Sequence, residues 1–381
     1  MSYNKIFYLD NVSTNPINPE VLSTYTMLLE KYYANKSSIH ALGREVYKLH
    51  EKSREEVLSL LNVKNSRLIF TAGATEANNM AIKSVAMANK AQGKHLITTN
   101  IEHPSVHSSF KFLEEYLDFE VTYLDVEADG RIDLNKLKAA LREDTLLVSI
   151  MAVNNEVGAI NDVAAWTKLV KDNSKAYTHS DMVQALGNID LDFNNLDIAT
   201  FSAHKINGVK GSGFLVIRDH IDMVPLISGG DQEFGIRPGT ENSPANIVLA
   251  KTVRIALEEQ VEKNEKLKAL KDHFYDSLKD NPQVRFNSNQ EHSVNTLVNI
   301  SVLGVNSEIM LNALGQENMY VSAGSTCQSD VHKRSRVLMS LDKPLENQQT
   351  RVRISLNTDL TIEDIDTIVL KITEIGEKYA V

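Results

Sequence analysis

Short apolar runs alternate with amphipathic segments along residues 67–218, and this alternation limits the possible fold more than any other feature. Strands are predicted at 67–73, 95–101, 120–126, 145–153, 177–183, 198–201 and 214–217, and helices at 104–116, 134–141 and 163–171. Such alternation is typical of βαβ units whose mostly parallel sheet is covered on both faces. The sequence therefore predicts an α/β fold.

The remainder of the chain predicts a second, smaller domain. A helical run from residue 244 to 279 leads into less regular alternation, and a last amphipathic helix is predicted at 362–379. A chain of 381 residues is long enough for two cores. We predict a large domain at 15–250 and a small domain formed by 1–14 and 251–381.

Charge and composition exclude several classes of function. The formal net charge of −10 argues against non-specific binding of nucleic acid. No apolar run approaches the roughly 18 residues of a membrane span, and the N-terminus lacks the pattern of a signal peptide, so we expect a cytoplasmic protein. A single cysteine, Cys327, excludes an internal disulfide and a site built from several cysteines.

Lys205 stands at the end of a predicted buried strand, before a turn that contains three glycines. A partly desolvated amine loses proton affinity and becomes a nucleophile towards aldehydes. A solvated lysine at a hairpin end is the alternative. In an extended chain, Ser202 and His204 would face away from Lys205 unless the backbone turns there.

Two predicted strand ends carry small or basic residues. Thr71–Thr75 forms a strand-to-helix turn that suits an anion such as phosphate, although Thr75 suits an ordinary helix cap as well. His103 precedes Pro104, which suits the first position of a predicted helix. His103 therefore lies at the carboxyl end of a predicted strand, where ligands bind in parallel sheets. His103 and His107 are four residues apart, but no further motif supports a metal site, so capping and ligand contact are the main alternatives.

Asp181 and Cys327 complete the set of candidate reactive residues. A carboxylate near the end of a buried strand requires a partner, which a protonated pyridine nitrogen or an arginine would supply. Cys327 lies in a polar segment rich in glycine and serine, as a reactive thiol would, and an incidental surface cysteine is the alternative.

Taken together, the motifs resemble those of the cysteine desulfurases of the class V aminotransferase family. The resemblance rests on segments 8–11, 70–76, 102–103, 153–158, 201–205, 237–240, 322–327 and 351–356. The segment around Cys327 is similar to that of the NifS and IscS group. The resemblance implies the type I fold of pyridoxal-phosphate-dependent transferases, with a mostly parallel central sheet, a smaller α/β C-terminal domain and a homodimer.

The resemblance also implies a role for each matching residue. Lys205 would hold pyridoxal 5'-phosphate as a Schiff base, Asp181 would pair with its pyridine nitrogen, Gln184 would bind its phenolic oxygen, and His103 would stack on the ring as a catalytic residue. The other implied contacts are Ala74, Thr75, Ser202, His204 and, from the second subunit, Thr240 for the phosphate, Asn155 for the cofactor, and Asn35, Asn155 and Arg353 for the substrate. No metal is implied.

The implied reaction converts L-cysteine to L-alanine and leaves the sulfur as a persulfide on Cys327. An acceptor protein, either an iron–sulfur cluster scaffold or a tRNA-thiolation enzyme, would then take the sulfur. The alternatives are an aminotransferase, a selenocysteine lyase, or a sulfur-relay scaffold with little turnover. Cys327 argues against an aminotransferase, and Lys205, Asp181 and His103 together argue against a scaffold.

Overall fold

A computed structural model of the protein describes residues 5–324 and 335–380. The strands within these ranges are β1 (Phe7–Tyr8), β2 (Ser66–Thr71), β3 (His95–Thr99), β4 (Glu120–Leu124), β5 (Thr145–Ser149), β6 (Tyr177–Asp181), β7 (Ile198–Ser202), β8 (Gly213–Arg218), β9 (Val284–Phe286), β10 (Leu297–Val302), β11 (Met319–Tyr320) and β12 (Arg351–Ser355).

The helices lie between these strands and after them. They are α1 (Pro19–Lys31), α2 (Ala41–Leu60), α3 (Ala74–Asn79), α4 (Val85–Ala88), α5 (Pro104–Leu117), α6 (Leu134–Ala140), α7 (Val163–Asn173), α8 (Ser243–Glu258), α9 (Gln260–Leu278), α10 (Ser307–Gln316), α11 (Arg336–Ser340), α12 (Leu345–Gln349) and α13 (Ile362–Tyr379). A π-helical turn, Met80–Ser84, joins α3 to α4.

Seven strands form the main sheet, in the order β2-β8-β7-β6-β5-β3-β4. Every neighbouring pair is parallel except the two that involve β8, which is antiparallel to β2 and β7. Side chains alternate between the faces: Leu68 and Ile69 are fully buried on opposite sides, in separate apolar clusters. The predicted mostly parallel sheet, covered on both faces, is confirmed.

A second core surrounds the antiparallel sheet β12-β10-β9. Val298 and Ile300 of β10 pack there with Phe274 of α9 and Ile368 of α13. The N-terminus joins this core, because β1 pairs in parallel with β11. Separate cores are compatible with the predicted division at residues 14/15 and 250/251, which stays a prediction.

The predicted continuous helix from residue 244 to 279 is divided in two. Glu259 interrupts it between α8 and α9, with φ −82° and ψ −11°. Just beyond the interruption, Gln260 donates to Asp190 Oδ1 at 2.9 Å and Lys263 donates to Asn188 Oδ1 at 2.8 Å. These contacts direct the start of α9 onto the chain around residue 188. Because the partners of α9 in these contacts are distant in the sequence, the helical periodicity of residues 244–279 could not predict the interruption.

No helix of the described residues is long and apolar enough to cross a membrane.

Candidate active site

A cavity of about 800 Å³ opens beside the carboxyl ends of β5, β6 and β7. Most of the residues singled out in the sequence line it, namely Ala74, Thr75, His103, Asn155, Asp181, Gln184, Ser202, His204, Lys205 and Arg353. The strand ends of a parallel sheet converge at one edge, which explains how residues from distant segments meet there. The structure thus brings these side chains together around one space.

Lys205 lies in a 3₁₀ turn, Ala203–Ile206, that begins as β7 ends. This turn replaces an extended path, so Ser202, His204 and Lys205 all line the same cavity. The Nζ atom of Lys205 donates to the carbonyl oxygens of Val12 and Ser13 at 2.6 and 2.7 Å. The N-terminal segment therefore orients the amine within the cavity.

Asp181 is 5% exposed at the end of β6. Its Oδ2 accepts from Asn78 Nδ2 at 2.8 Å, and its Oδ1 accepts from the backbone N–H of Val183 at 3.0 Å. The arginine partner considered as an alternative is not found among the ion pairs of residues 5–324 and 335–380. Neutral donors hold the carboxylate in place, and a cationic ring nitrogen would complete its charge pairing.

His103 caps α5 and lines the cavity at the same time. Its Nδ1 accepts from the backbone N–H of Ser105 at 3.2 Å, which leaves Nε2 as the protonated nitrogen of the neutral ring. Burial lowers the pKa of His103. The neutral, fixed ring is suited to stacking on a flat ligand. Helix capping and ligand contact, the two alternatives given above for His103, are therefore compatible.

One end of the cavity is suited to an anion. The helix that starts at Ala74 has no side-chain cap, so its first N–H groups are available. Gly73 has φ +152°, and a Cβ at Gly213 would lie 2.6 Å from the Cα of Gly73, so glycine is required for this close approach. Ser202 and Thr75 add hydroxyl groups nearby.

His204 lines the same cavity in its neutral form. Burial, followed by the charges of Lys205 and Lys210, lowers the pKa of His204 to about 4. Its Nδ1 lies 3.1 Å from Thr14 Oγ1. A neutral imidazole has one ring N–H to donate, which fits a phosphate oxygen.

The cavity residues fit pyridoxal 5'-phosphate. The Lys205 amine suits an aldehyde, and the Asp181 carboxylate, which has no arginine or lysine ion-pair partner among residues 5–324 and 335–380, suits a pyridine nitrogen. The flat, neutral His103 ring suits the face of an aromatic ring, and the uncapped helix start at Ala74 suits a phosphate. Gln184 also lines the cavity, and its Nε2 donates to the carbonyl of Val12 at 3.1 Å.

Arg353 is 2% exposed on β12 and reaches the cavity from the small sheet. Its Nη2 donates to Asp10 Oδ1 at 2.9 Å and to Ser13 Oγ at 2.6 Å, and its Nη1 donates to the carbonyl of Asn155 at 2.9 Å. Its buried Nε has no hydrogen-bond partner among the residues that the structure describes. A carboxylate in the cavity would meet a fixed guanidinium whose donors are not all used.

The motif resemblance implies that L-cysteine is the substrate and that Arg353 binds its carboxylate. On that expectation, Arg353→Lys should raise the KM for L-cysteine about tenfold or more, because lysine keeps the charge but loses the two-pronged geometry. Steady-state kinetics on the holoenzyme measure this effect, with cofactor content as the control. An unchanged KM would mean that the substrate carboxylate binds elsewhere.

Asn35 and Thr240, which the resemblance placed at the site, do not line the cavity of their own chain. Both are exposed. Their sequence neighbours Lys36 and Glu241 form an ion pair, with 3.0 Å between Lys36 Nζ and Glu241 Oε1. The two predicted residues therefore belong to adjoining surface segments. Cys327 lies outside the described residues.

Sequence reasoning missed three residues that organise the site. Asn78 forms hydrogen bonds with both Asp181 and Thr200. Asp10 forms an ion pair with Arg353. Glu102 accepts a hydrogen bond from the backbone N–H of Met151, which lines the cavity. Asp10 and Glu102 stood inside the recognised motifs, which gave a signal. Asn78 gave none, because Asp181 and Thr200 lie 103 and 122 positions away in the sequence.

Glu102 is fully buried, and burial raises the pKa of its carboxyl to about 8. Oε1 accepts from Thr99 Oγ1 and from the backbone N–H of Met151, each at 2.9 Å, whereas Oε2 has no partner in the described residues. Burial therefore favours the protonated, uncharged form of this carboxyl group at neutral pH.

Glu102→Gln is expected to remove part of the pH dependence of stability. From about pH 5 to pH 8 the native state holds a proton that the unfolded chain releases, so the free energy of unfolding falls by up to about 1.4 kcal/mol per pH unit. The variant should show a shallower fall in chemical denaturation series across that range. Identical slopes would contradict a protonated Glu102.

The chain matches the model of the family described as aminotransferase class-V over residues 7–368. The chain belongs to this family. A putative cysteine desulfurase IscS 1 of Bacillus subtilis is 37% identical over 375 residues, which is 97% of this chain and 98% of the relative. A cysteine desulfurase IscS of Dictyoglomus turgidum is 38% identical over 374 residues, or 97% of this chain and 94% of the relative.

Two solved structures have the same fold as this member of the class V aminotransferase family. A NifS-like protein aligns with a TM-score of 0.91 and 34% identity, covering 98% of this chain and 100% of that one. A structure titled "SspA in complex with cysteine" aligns with a TM-score of 0.80 and 28% identity, covering 92% and 99%. The type I transferase fold predicted from the motifs is confirmed.

Proposed function

We propose that the protein is a pyridoxal-phosphate-dependent cysteine desulfurase that converts L-cysteine to L-alanine. The observation that carries the proposal is the placement of Lys205, Asp181 and Arg353 around one cavity. Relatives of nearly full-length coverage bear the name cysteine desulfurase, and one structural neighbour is titled as a complex with cysteine.

The roles of the cavity residues follow from their chemistry. We infer that Lys205 anchors the cofactor aldehyde, that Asp181 keeps the pyridine nitrogen protonated, and that His103 packs on the ring. Ala74, Thr75, Ser202 and His204 would hold the phosphate, joined by Thr240 of a second subunit in a homodimer. When bound, the cofactor supplies an electron-withdrawing ring that weakens bonds at the substrate's α and β carbons.

The substrate is held by its two ends. Arg353 and Asn155 bind the carboxylate, while the amino group is directed towards Lys205. Lys205, displaced by the substrate amine, would take the Cα proton and return it. The hydrogen bonds from Lys205 to the carbonyls of Val12 and Ser13 keep the amine inside the cavity during this exchange.

The sulfur leaves as a persulfide. The Cβ–S bond of the substrate breaks while an S–S bond forms with Cys327. Cβ keeps the bonding electron pair and takes up a proton, which balances the proton lost from the Cys327 thiol, so that L-cysteine and one thiol become L-alanine and one persulfide. Atoms and electrons balance without a further oxidant. Because the chain has one cysteine, the sulfur can reside on no other thiol of the protein.

The receiving partner is inferred to be a sulfur-acceptor protein of the cytoplasm, either an iron–sulfur scaffold or a tRNA-thiolation enzyme. The acidic net charge makes direct binding of nucleic acid unfavourable. The proposal is tested by following alanine and protein-bound persulfide with each class of acceptor. Equal yields of alanine and transferred sulfur are expected with the cognate class, and turnover that yields no alanine would refute the reaction.

A further inference from the structure

Glu156 is a buried carboxylate that the proposed chemistry does not use. The residue is 6% exposed. Its backbone N–H donates to Asn154 Oδ1 at 2.8 Å, and its carbonyl accepts from Asn299 Nδ2 at 2.9 Å. The backbone is thus fixed on both sides. A buried carboxylate requires hydrogen-bond donors or cations, so the groups around its oxygens indicate which parts of the chain it holds together.

One partner of Glu156 follows the segment that carries Cys327. The Oγ of Ser335 donates to Glu156 Oε2 at 2.6 Å, and both residues are buried. The same Oγ accepts from the backbone N–H of Leu338 at 3.1 Å and so caps α11. The hydrogen bond therefore ties the start of a helix to Glu156.

The residues that precede the same segment lie close to this carboxylate and are held by its neighbour Arg351. A Cβ at Gly324 would lie 3.4 Å from Glu156 Oε2 and 3.5 Å from Arg351 Nε. That Nε donates to the carbonyl of Ala323 at 2.6 Å. Burial lowers the pKa of Arg351, and the charge of Glu156 opposes this effect, so the two groups attract each other.

Glu156 is also joined to the substrate side of the cavity. Its neighbour Asn155 lines the cavity, and the Asn155 carbonyl accepts from Arg353. Arg353 in turn exchanges backbone hydrogen bonds with Ser322, of 3.2 and 2.6 Å. The proposed substrate contacts and both flanks of the Cys327 segment therefore share one framework.

We propose that Glu156 is a positioning residue that holds both flanks of the Cys327 segment against the substrate contacts. This inference rests on the proposed function, because it concerns the step in which Cys327 takes up sulfur. Without the carboxylate, Ser335 loses its acceptor and Arg351 loses a neighbouring charge. The thiol would then meet the substrate sulfur in a less favourable geometry, and transfer would slow.

The test measures cofactor binding and sulfur transfer separately in the holoenzyme. Glu156→Ala is expected to keep its cofactor absorbance and the rapid spectral change on addition of L-cysteine, with KM within about twofold of wild type. Persulfide formation, followed as a mass increase on Cys327 in a single turnover, should slow about tenfold or more. Glu156→Gln retains an acceptor oxygen for Ser335 and should recover most of the rate.

Two further variants make the outcome decisive. Ser335→Ala removes only one of the two flank contacts, the hydrogen bond to Glu156 Oε2, and should slow persulfide formation measurably but less than Glu156→Ala. This variant keeps the test valid if Glu156→Ala fails to fold. Glu143→Ala, an exposed carboxylate, is the matched control. A wild-type persulfide rate in Glu156→Ala, or in Ser335→Ala if Glu156→Ala does not fold, would overturn the inference, and so would a loss of cofactor binding equal to the loss of transfer. Wild-type protein that forms no persulfide would refute the proposed function instead.

Discussion

Lys205→Ala is expected to lower the turnover of L-cysteine by about 10⁴-fold, because one amine both anchors the cofactor and moves the Cα proton. The hydrogen bonds to the carbonyls of Val12 and Ser13 are lost as well, so the N-terminal segment loses a cavity contact. Alanine production per cofactor-loaded subunit measures the effect.

The matched control for Lys205→Ala is Lys64→Ala, which changes an exposed lysine away from the cavity. The control should turn over at the wild-type rate. Thermal unfolding of both variants separates a chemical effect from misfolding. A Lys205→Ala protein that is folded, loaded with cofactor and within tenfold of wild-type turnover would remove Lys205 from the mechanism.

Cys327→Ser is expected to abolish sulfur transfer, with a loss of about 10³-fold or more, because the hydroxyl is a far weaker nucleophile towards sulfur than a thiolate. Cofactor content and cofactor absorbance should match those of the wild type, since the cofactor contacts proposed here do not include this residue. Sulfide and alanine are measured together over the same time course.

The serine variant also tests the position of the persulfide. Wild-type protein treated with L-cysteine should gain one sulfur per chain, which is reducible, and the variant should gain none. Since the sequence contains no second cysteine, no other thiol can substitute. Undiminished sulfide release by Cys327→Ser would assign the sulfur transfer to a different group.

Local patterns were enough to predict the main sheet and the residues at its strand ends. Thr75, His103, Asp181 and Lys205 each end a strand or start the element that follows it, and a mostly parallel sheet places such positions at one edge. The motif resemblance added the identity of the family, which is confirmed. The individual roles of these residues stay predictions.

Other features depend on contacts that periodicity does not encode. The interruption at Glu259 follows from contacts of α9 with residues near 188, and the short strands β9 and β11 are too brief to show alternation. The pairing of Asp10 with Arg353 joins the two ends of the chain, across 343 positions. Such long-range pairs become visible only in the folded molecule.

The most direct test of the account is to find the residue that carries the cofactor. Purified protein is incubated with pyridoxal 5'-phosphate, reduced with borohydride, digested and analysed by mass spectrometry. The account predicts one pyridoxyl-phosphate adduct per chain, on Lys205, and its absence from Lys205→Ala. A stable adduct on another lysine, or none on Lys205, would contradict it.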